Sequence, residues 1–390
     1  MSSYADLLID GATVFRWRNE LDHSVLSLFS KDDIVRMRGK RAHQRAQRLG
    51  LGGFHAHYGD LGDEYELVAF SRTTKEIKDR LSVLGYGEES FEAFLEGVTE
   101  YYGSSRGVFE RLLSQYKANK PLDDDCQREL ADLLQLNPCD CMFYHLRGAD
   151  DGASVVLDVS EFAHEGWYDD AYFDEDNGFR GIERTYSPPI ILTEGHFDAE
   201  VLRGAIALLY PHLLSHVRFL DYNYKPEGGA GVLVKTLKSF AAAGISNRIL
   251  AVFDNDSAAY DALSSLDQAQ LPRNFAVINY PSIEIGNHYP TLGPQGKVDM
   301  DINGLAGAIE LYLGQDVLRE EDGELCPVQW TGYVAKLRRY QGEIISKSAI
   351  QARFRAKLKS AEADPKLIRR QDWSGLRLII EGIIGRLASL

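Results

Sequence analysis

Two short apolar runs in this chain end abruptly in acid, and carboxylates placed that way can bind a hard divalent cation and act on phosphate esters. Residues 188–193, Pro-Pro-Ile-Ile-Leu-Thr, lead into Glu194-Gly195-His196-Phe197-Asp198; residues 248–253, Arg-Ile-Leu-Ala-Val-Phe, lead into Asp254-Asn255-Asp256. An apolar run of this length bounded by turn residues reads as a buried parallel strand, and ligands of open α/β sheets gather outside the carboxyl ends of such strands. Both acidic clusters are therefore expected on one sheet edge. A glutamate from one strand and an Asp-x-Asp pair from another suit Mg²⁺ or Mn²⁺, which take carboxylates, water and substrate phosphates. Either cluster alone is more often an ordinary strand end, loop or helix cap, and their conjunction is what points to phosphodiester chemistry.

The elements needed to position these acids are legible between them. A helix is expected over 197–209, a strand over 216–221, a Gly-rich turn over 227–231 and a helix over 232–243, with a further strand over 274–279. That is a β-α-β-α-β order at the connection lengths of a right-handed doubly wound unit. Glu194-Gly195-x-x-Asp198 and Asp254-x-Asp256 together resemble the signature of the Toprim domain, shared by bacterial primases, topoisomerases, small ribosomal-RNA maturases and OLD-type nucleases, over residues 186–314. The resemblance implies that Glu194 is the Toprim glutamate, that Asp254 and Asp256 are the metal-binding pair, and that Asp198 is a recurrent acid one turn into the first helix. By likeness to the OLD-type members, Lys297, Asp299 and Asp301 would complete a second metal site. The alternative for that segment is a solvated loop in which Asp301 or Asn303 caps a helix at 305–313.

The amino-terminal region carries a second resemblance. Residues 3–11, 14–18, 26–29 and 74–85 resemble the HEPN/Toprim-associated N-terminal domain, and residues 304–314 and 340–343 also look typical of that group. The group joins this domain to a HEPN ribonuclease or a Toprim module in conflict systems such as phage defence. The expected fold is α/β: an N-terminal α/β domain at 1–89, a helical segment at 90–150, a Toprim domain with a Rossmann-like, mostly parallel sheet at 151–314, and a helical module at 315–390. Residues 155–158 read as a strand linking into the Toprim region. Residues 334–390 read as basic amphipathic helices that guide nucleic acid or dock a partner.

Composition bounds the function. The 390 residues carry a net charge of −15, which opposes a general nucleic-acid-binding surface because such surfaces gain affinity by releasing phosphate counterions to Lys and Arg. One segment departs from this: residues 34–59 contain no acid and include Arg36, Arg38, Lys40, Arg41, Arg45 and Arg48. Arg41, Arg45 and Arg48 are the candidates for a phosphate backbone, with a solvated loop as the equal alternative. The acidic residues of 165–176 would repel nucleic acid or keep a loop solvated. Arg38-x4-His43 and Arg48-x6-His55 fall near HEPN ribonuclease spacing, but Gly50, Gly52 and Gly53 oppose the long helix such a site needs.

Four cysteines without a CxxC pair are expected as reduced thiols. No run of eighteen apolar residues, signal peptide or Walker A pattern is present, so a cytoplasmic protein without its own P-loop ATPase is expected. Control would then come from the N-terminal domain, from a separate regulatory or ATPase partner, or from homo-oligomerisation. The expected function is a Mg²⁺- or Mn²⁺-dependent nuclease acting on DNA or RNA. The alternatives are a non-catalytic nucleotide- or nucleic-acid-binding Toprim module and a primase- or topoisomerase-type enzyme, for which neither a zinc-binding domain nor a distinguishable nucleophilic tyrosine is found.

Overall fold

The computed structural model describes residues 3–57, 61–102, 107–118, 120–133, 137–166, 188–220, 228–266, 270–294 and 296–390. They divide into two units, Met1–Ser187 and Pro188–Ala388. Apart from Glu165 and Gly166, the acidic stretch at 165–176 lies outside the described residues, as do the first residue of the expected turn at 227–231 and the last residue of the strand expected at 216–221.

The first unit is built on an antiparallel sheet. Its strands are β1 (Tyr4–Ile9), β2 (Ala12–Arg18), β3 (Ile34–Arg38), β4 (Glu66–Thr73) and β5 (Ser154–Asp158), in the order β2-β1-β5-β4-β3. Asp10 and Gly11, with φ of 50° and 76°, make the two-residue turn between β1 and β2, the left-handed pair that lets a hairpin keep its strand twist. Alternate residues face opposite sides, and both sides are covered: Leu7, Val68, Phe70, Val155 and Leu157 enter one core, while Leu8, Leu67, Ala69 and Val156 enter another.

Helix α1 (Gly39–Arg48) supplies Ala42 and Ala46 to the second of these cores. The basic segment is thus a strand and a helix and not a loop, because two small residues four apart give the helix a narrow face to bury. Helix α2 (Thr74–Val83) starts at a Thr73–Glu76 capping box. Helices α3 (Glu88–Tyr102), α4 (Gly107–Lys117), α5 (Asp124–Leu133) and α6 (Pro138–Leu146) form the expected helical segment around Phe91, Phe109, Leu112, Tyr116 and Leu130. The strand at 154–158 corrects the sequence reading. It does not lead into the next domain but pairs antiparallel with both β1 and β4, so the boundary expected at 151 falls inside the first sheet. Its full burial on both sides gave it the apolar run that resembles a parallel strand.

The second unit begins with a parallel sheet. Its elements are β6 (Ile190–Thr193), α7 (His196–Leu209), β7 (Arg218–Phe219), α8 (Ala230–Ala242), β8 (Ile249–Phe253), α9 (Ser257–Leu263) and β9 (Phe275–Asn279), with strand order β9-β8-β6-β7. Leu192, Ile249, Ala251 and Phe253 pack against Leu233, Val234 and Leu237 of α8. From β6 the chain runs outward to β7, then returns to the other side of β6 as β8. The connections leave the carboxyl ends of β6 and β8 in opposite directions, which makes this the switch point of the sheet.

A second sheet of β10 (Tyr289–Gly293), β11 (Gly296–Met300), β12 (Val328–Val334) and β13 (Arg339–Ile344) follows, in the order β11-β10-β12-β13. Helices α10 (Lys347–Ala363) and α11 (Ser374–Ala388) end the unit. Two expectations are corrected here. Residues 328–344 are a hairpin and not helix, in keeping with the β-prone Val328, Trp330, Thr331, Tyr333 and Val334. In place of a helix over 305–313, Ala306–Gly307 pairs with Asn255–Asp256 and a 3-10 turn covers Ile309–Tyr312. A Cβ at Gly307 would lie 2.6 Å from the Asn255 carbonyl oxygen, so the backbones meet closely only because this residue is glycine.

All four cysteines are buried free thiols, and no helix among the described residues is long and apolar enough to cross a membrane.

One buried ion pair anchors the first unit. Arg80 is 1% exposed and Asp33 3%; the Arg80 guanidinium donates to Asp33 at 2.5 and 3.2 Å and to the Leu28 carbonyl at 2.8 Å. Arg72 donates to the same carboxylate, as does the Ser30 N–H at 2.7 Å. Burial alone would raise the Asp33 carboxyl, but Arg80, Ser30 and Arg72 outweigh it and hold it below its ordinary value. A depressed folded value means that this stabilisation is complete above the unfolded value of about 3.9 and is lost as pH falls through the folded one. Arg80→Ala should cost about 3–5 kcal/mol by leaving a buried charge unpaired. Hydrogen exchange at β4 and β5 measures this, and wild-type protection should fall more steeply below about pH 4 than that of Asp33→Asn.

Candidate carboxylate site

The carboxyl ends of β6 and β8 collect the acids. Glu194 follows β6, and its Oε1 accepts the backbone N–H of Asp254, which follows β8, at 2.9 Å. That bond ties the two strand ends together. The Asn279 amide donates to the Asp254 carbonyl at 2.8 Å, fixing the same turn from the β9 side. Gly229, at φ 102°, donates its N–H to the Glu194 carbonyl at 2.7 Å, and a Cβ on Gly228 would stand 3.0 Å from that oxygen. The glycine turn is therefore needed for α8 to begin directly beside the glutamate.

Asp198 lies in the first turn of α7 and accepts the Tyr280 hydroxyl at 2.8 Å. Asp256 caps α9, with Oδ1 accepting the Ala259 N–H at 2.7 Å, while Oδ2 accepts the Gln341 amide at 2.9 Å. Gln341 belongs to β13, so the second sheet reaches the site. Asp254 Oδ1 is enclosed and has no hydrogen-bond partner among the described residues.

Burial is the largest influence on these groups, and like charge adds to it. Burial, opposed by the Asp254 and Ala230 backbone N–H groups and reinforced by Asp256 and Asp198, pushes Glu194 up to about 7. Asp198 is pushed up to about 6, first by burial and then by Glu310, against the pull of Tyr280 and Lys347. Asp254 is raised well above the carboxylate range by burial and by Asp198, Glu194, Asp256 and Glu310 together. Tyr280 is likewise raised by burial and by Asp198.

The four acids read from the two sequence signatures are thus brought together. Glu310 joins them and was not singled out; it is buried, and Gln351 donates to it at 3.0 Å. An acid inside the apolar stretch 305–313 was the signal for it.

The other predicted residues stand apart from this cluster's electrostatics. Lys297 pairs with Glu324 at 3.1 Å, Asp299 lies exposed on β11, and Asp301 accepts the Asn303 N–H at 3.0 Å. Arg41 and Arg48 are exposed on α1 and Arg45 is half-buried, and none forms an ion pair with a described residue. Arg36 and Arg38 instead pair with Glu66. His55 is buried, bonded to Asp158 at 2.6 Å and to the Tyr65 hydroxyl, which gives it a structural place and leaves the HEPN spacing without a site.

Carboxylates suit a hard cation, and the enclosed, unpartnered oxygen of Asp254 is where one would be accommodated. Yet among the described residues no group of three or more His, Cys, Asp and Glu side chains is arranged to hold a metal ion as it stands. Their hydrogen bonds account for this, since Glu194 is turned to the Asp254 N–H and Asp256 to its cap. Ligation would require at least one of these carboxylates to turn away from its present partner.

The raised values have a consequence for stability. A carboxyl whose folded value lies above its unfolded one keeps its proton in the fold, so stability is full below the unfolded value and declines as pH rises through the folded one. The protein without divalent ions should lose stability between about pH 4.3, the unfolded glutamate value, and the Glu194 value of about 7. Thermal unfolding across that range checks it: Glu194→Gln should shrink the decline, and Mg²⁺ or Mn²⁺ should reverse it above neutrality by binding the folded state alone.

Comparison with known proteins bears on the first unit. No curated protein matches the chain, and no solved structure does. Residues 1–137 match the family HEPN/Toprim N-terminal domain 1. The match runs past residue 89, where the N-terminal domain was expected to end, and takes in α3, α4 and α5. The amino-terminal third of the chain is thus similar to that family.

Proposed function

We propose that residues 188–314 form a Toprim-type domain and that the chain is a Mg²⁺- or Mn²⁺-dependent nuclease, cutting DNA or RNA in phage defence or a related conflict system. The observation that supports this best is the crowding of Glu194, Asp198, Asp254, Asp256 and Glu310 at the point where the parallel sheet reverses its strand order. Enclosed like charges are unfavourable unless protons or a cation join them.

Glu194, Asp254 and Asp256 would hold the ion. When bound, it would neutralise charge on the substrate phosphate and lower the pKa of an attacking water. The chain's own contribution is orientation and proton handling. The Asp254 N–H fixes the Glu194 carboxylate, and a value near 7 lets that group take or give a proton at neutral pH. Ala259 and Gln341 hold Asp256 in place. For a second ion, Asp198 and Glu310 are better placed than Asp299, Asp301 and Lys297, since they already act on Asp254 while Lys297 is engaged by Glu324. One observation favours the rival, a non-catalytic module that binds nucleotide or nucleic acid: the carboxylates are not poised as a closed ligand set.

Incubation of the purified protein with plasmid, single-stranded DNA and RNA in Mg²⁺ or Mn²⁺ separates the two. Asp254→Asn and Glu194→Gln should each lower cleavage at least about a hundredfold, the loss of several kcal/mol of charge stabilisation. Asp256→Ala should do the same but also cost about 1 kcal/mol through its helix cap, so Asp254 gives the cleaner test. Full-rate cutting by Asp254→Asn would overturn the assignment.

The basic helix of the first unit is proposed to bind phosphate. Replacing Arg41, Arg45 and Arg48 with Ala should weaken nucleic-acid binding and flatten its salt dependence by about 0.9 logarithmic unit for each phosphate that is no longer neutralised. Unchanged salt dependence would make α1 a solvated face or a protein-binding one.

A further inference from the structure

The hairpin of β12 and β13 carries an exposed aromatic surface. Trp330, half-buried on β12, lies directly opposite Gly342 of β13. A Cβ on Gly342 would stand 3.0 Å from the indole and 2.7 Å from Val328, and one on Gly293 of β10 would stand 3.6 Å from the indole. Gly293 in turn pairs with Gly296 on β11. Glycine has no side chain of its own, so Gly342 and Gly293 let the indole lie close over strand backbone where a side chain would crowd it. Next to it, Tyr340 and Tyr333 are each 54% exposed. Their rings stand 5.2 Å apart, and Tyr340 is 5.8 Å from Trp330.

This surface is joined to the carboxylate site. Gln341, next in the chain after Tyr340, donates to Asp256, and the Tyr340 carbonyl accepts the Ser257 hydroxyl at 2.7 Å. On the other side of Tyr340, Arg339 is exposed and lies 5.3 Å over the ring of Tyr260. Arg338 and Arg339 form no ion pair with a described acid, whereas Lys336 in the same turn is held by Asp261 at 3.3 Å. Exposed aromatic faces combined with arginines that pair with no described acid fit unstacked bases on a phosphate backbone. A duplex hides its base faces and offers nothing to stack.

We propose that Trp330, Tyr333 and Tyr340 form a stacking platform for single-stranded nucleic acid, with Arg338 and Arg339 on its backbone, and that it leads the strand toward Asp256. This rests on the reading of the second unit as acting on nucleic acid and specifies the strand state it takes.

The test is binding of a fluorescent oligo-dT and of a blunt duplex, measured by anisotropy in EDTA so that nothing is cut. Trp330→Ala and Tyr340→Ala should each weaken oligo-dT binding roughly tenfold or more, as expected for removal of a base stack, and leave duplex binding unchanged. Trp330→Phe should stay within about twofold of wild type, since it keeps an aromatic face. Should Trp330→Ala fail to fold, the exposed Tyr333→Ala and Tyr340→Ala carry the test alone. Wild-type oligo-dT binding by the alanine variants, or an equal weakening on duplex, would overturn the platform. Aromatic-dependent binding by a protein that cuts nothing would uphold the platform and sink the nuclease. Cleavage that is abolished in Asp254→Asn but unaffected by the aromatic variants would do the reverse.

Discussion

The hydrogen bond from the Asp254 N–H to the Glu194 carboxylate is the interaction on which the second unit's chemistry turns. A parallel sheet places the carboxyl ends of β6 and β8 side by side, and each strand end carries acid. Left to electrostatics, the two turns would spread apart. The backbone N–H prevents this by satisfying one glutamate oxygen, and the glycine turn before α8 approaches the same residue from the other side. What remains is a close set of carboxyl groups, of which Glu194, Asp198 and Asp254 keep their protons to higher pH than usual. Retained protons relieve the repulsion, and the proposed cation would take their place.

The parts of this arrangement legible in the sequence were those set by local pattern. Fully buried strands produce unbroken apolar runs, and a strand end must turn, so Ile190–Thr193 and Ile249–Phe253 could be seen together with the acids that follow them. The same rule misplaced Ser154–Asp158. Its run is equally apolar, but it is buried because helices cover both faces of an antiparallel sheet, and nothing local separates the two cases. Glu310 escaped for a related reason. Its approach to Asp254 depends on the pairing of Ala306–Gly307 with Asn255–Asp256, a pairing about fifty residues long in sequence that leaves only glycines as its trace.

The basic segment shows how composition and structure answer different questions. Its freedom from acid was visible, but its form was not, because Gly50, Gly52 and Gly53 were weighed against a helix that in fact ends just before them. Ala42 and Ala46 are enough to seat ten residues on the sheet, and that seating turns arginines outward. The arginines of β3 go the other way: Arg36 and Arg38 are neutralised across the strand pair by Glu66. Net charge on a segment therefore overstates what it offers a phosphate backbone, and the useful count is of cations that no neighbouring strand has already engaged.

The same distinction applies to the carboxyl-terminal region, where many Lys and Arg residues suggested a helical guide for nucleic acid. Lys357 is buried against the Leu313 carbonyl and Asp316, Arg355 is bidentate with Glu200, and Arg353 donates to the Val317 carbonyl. These cations hold α10 in place and are not available to a ligand. Arg338 and Arg339, which pair with no described acid, sit instead on the hairpin turn, beside exposed tyrosines and close to the glutamine that grips Asp256. Basic composition thus marks two different tasks within eighty residues. Burial and pairing separate them: Arg353, Arg355 and Lys357 help assemble the unit, while Arg338 and Arg339 are exposed near the edge of its carboxylate site.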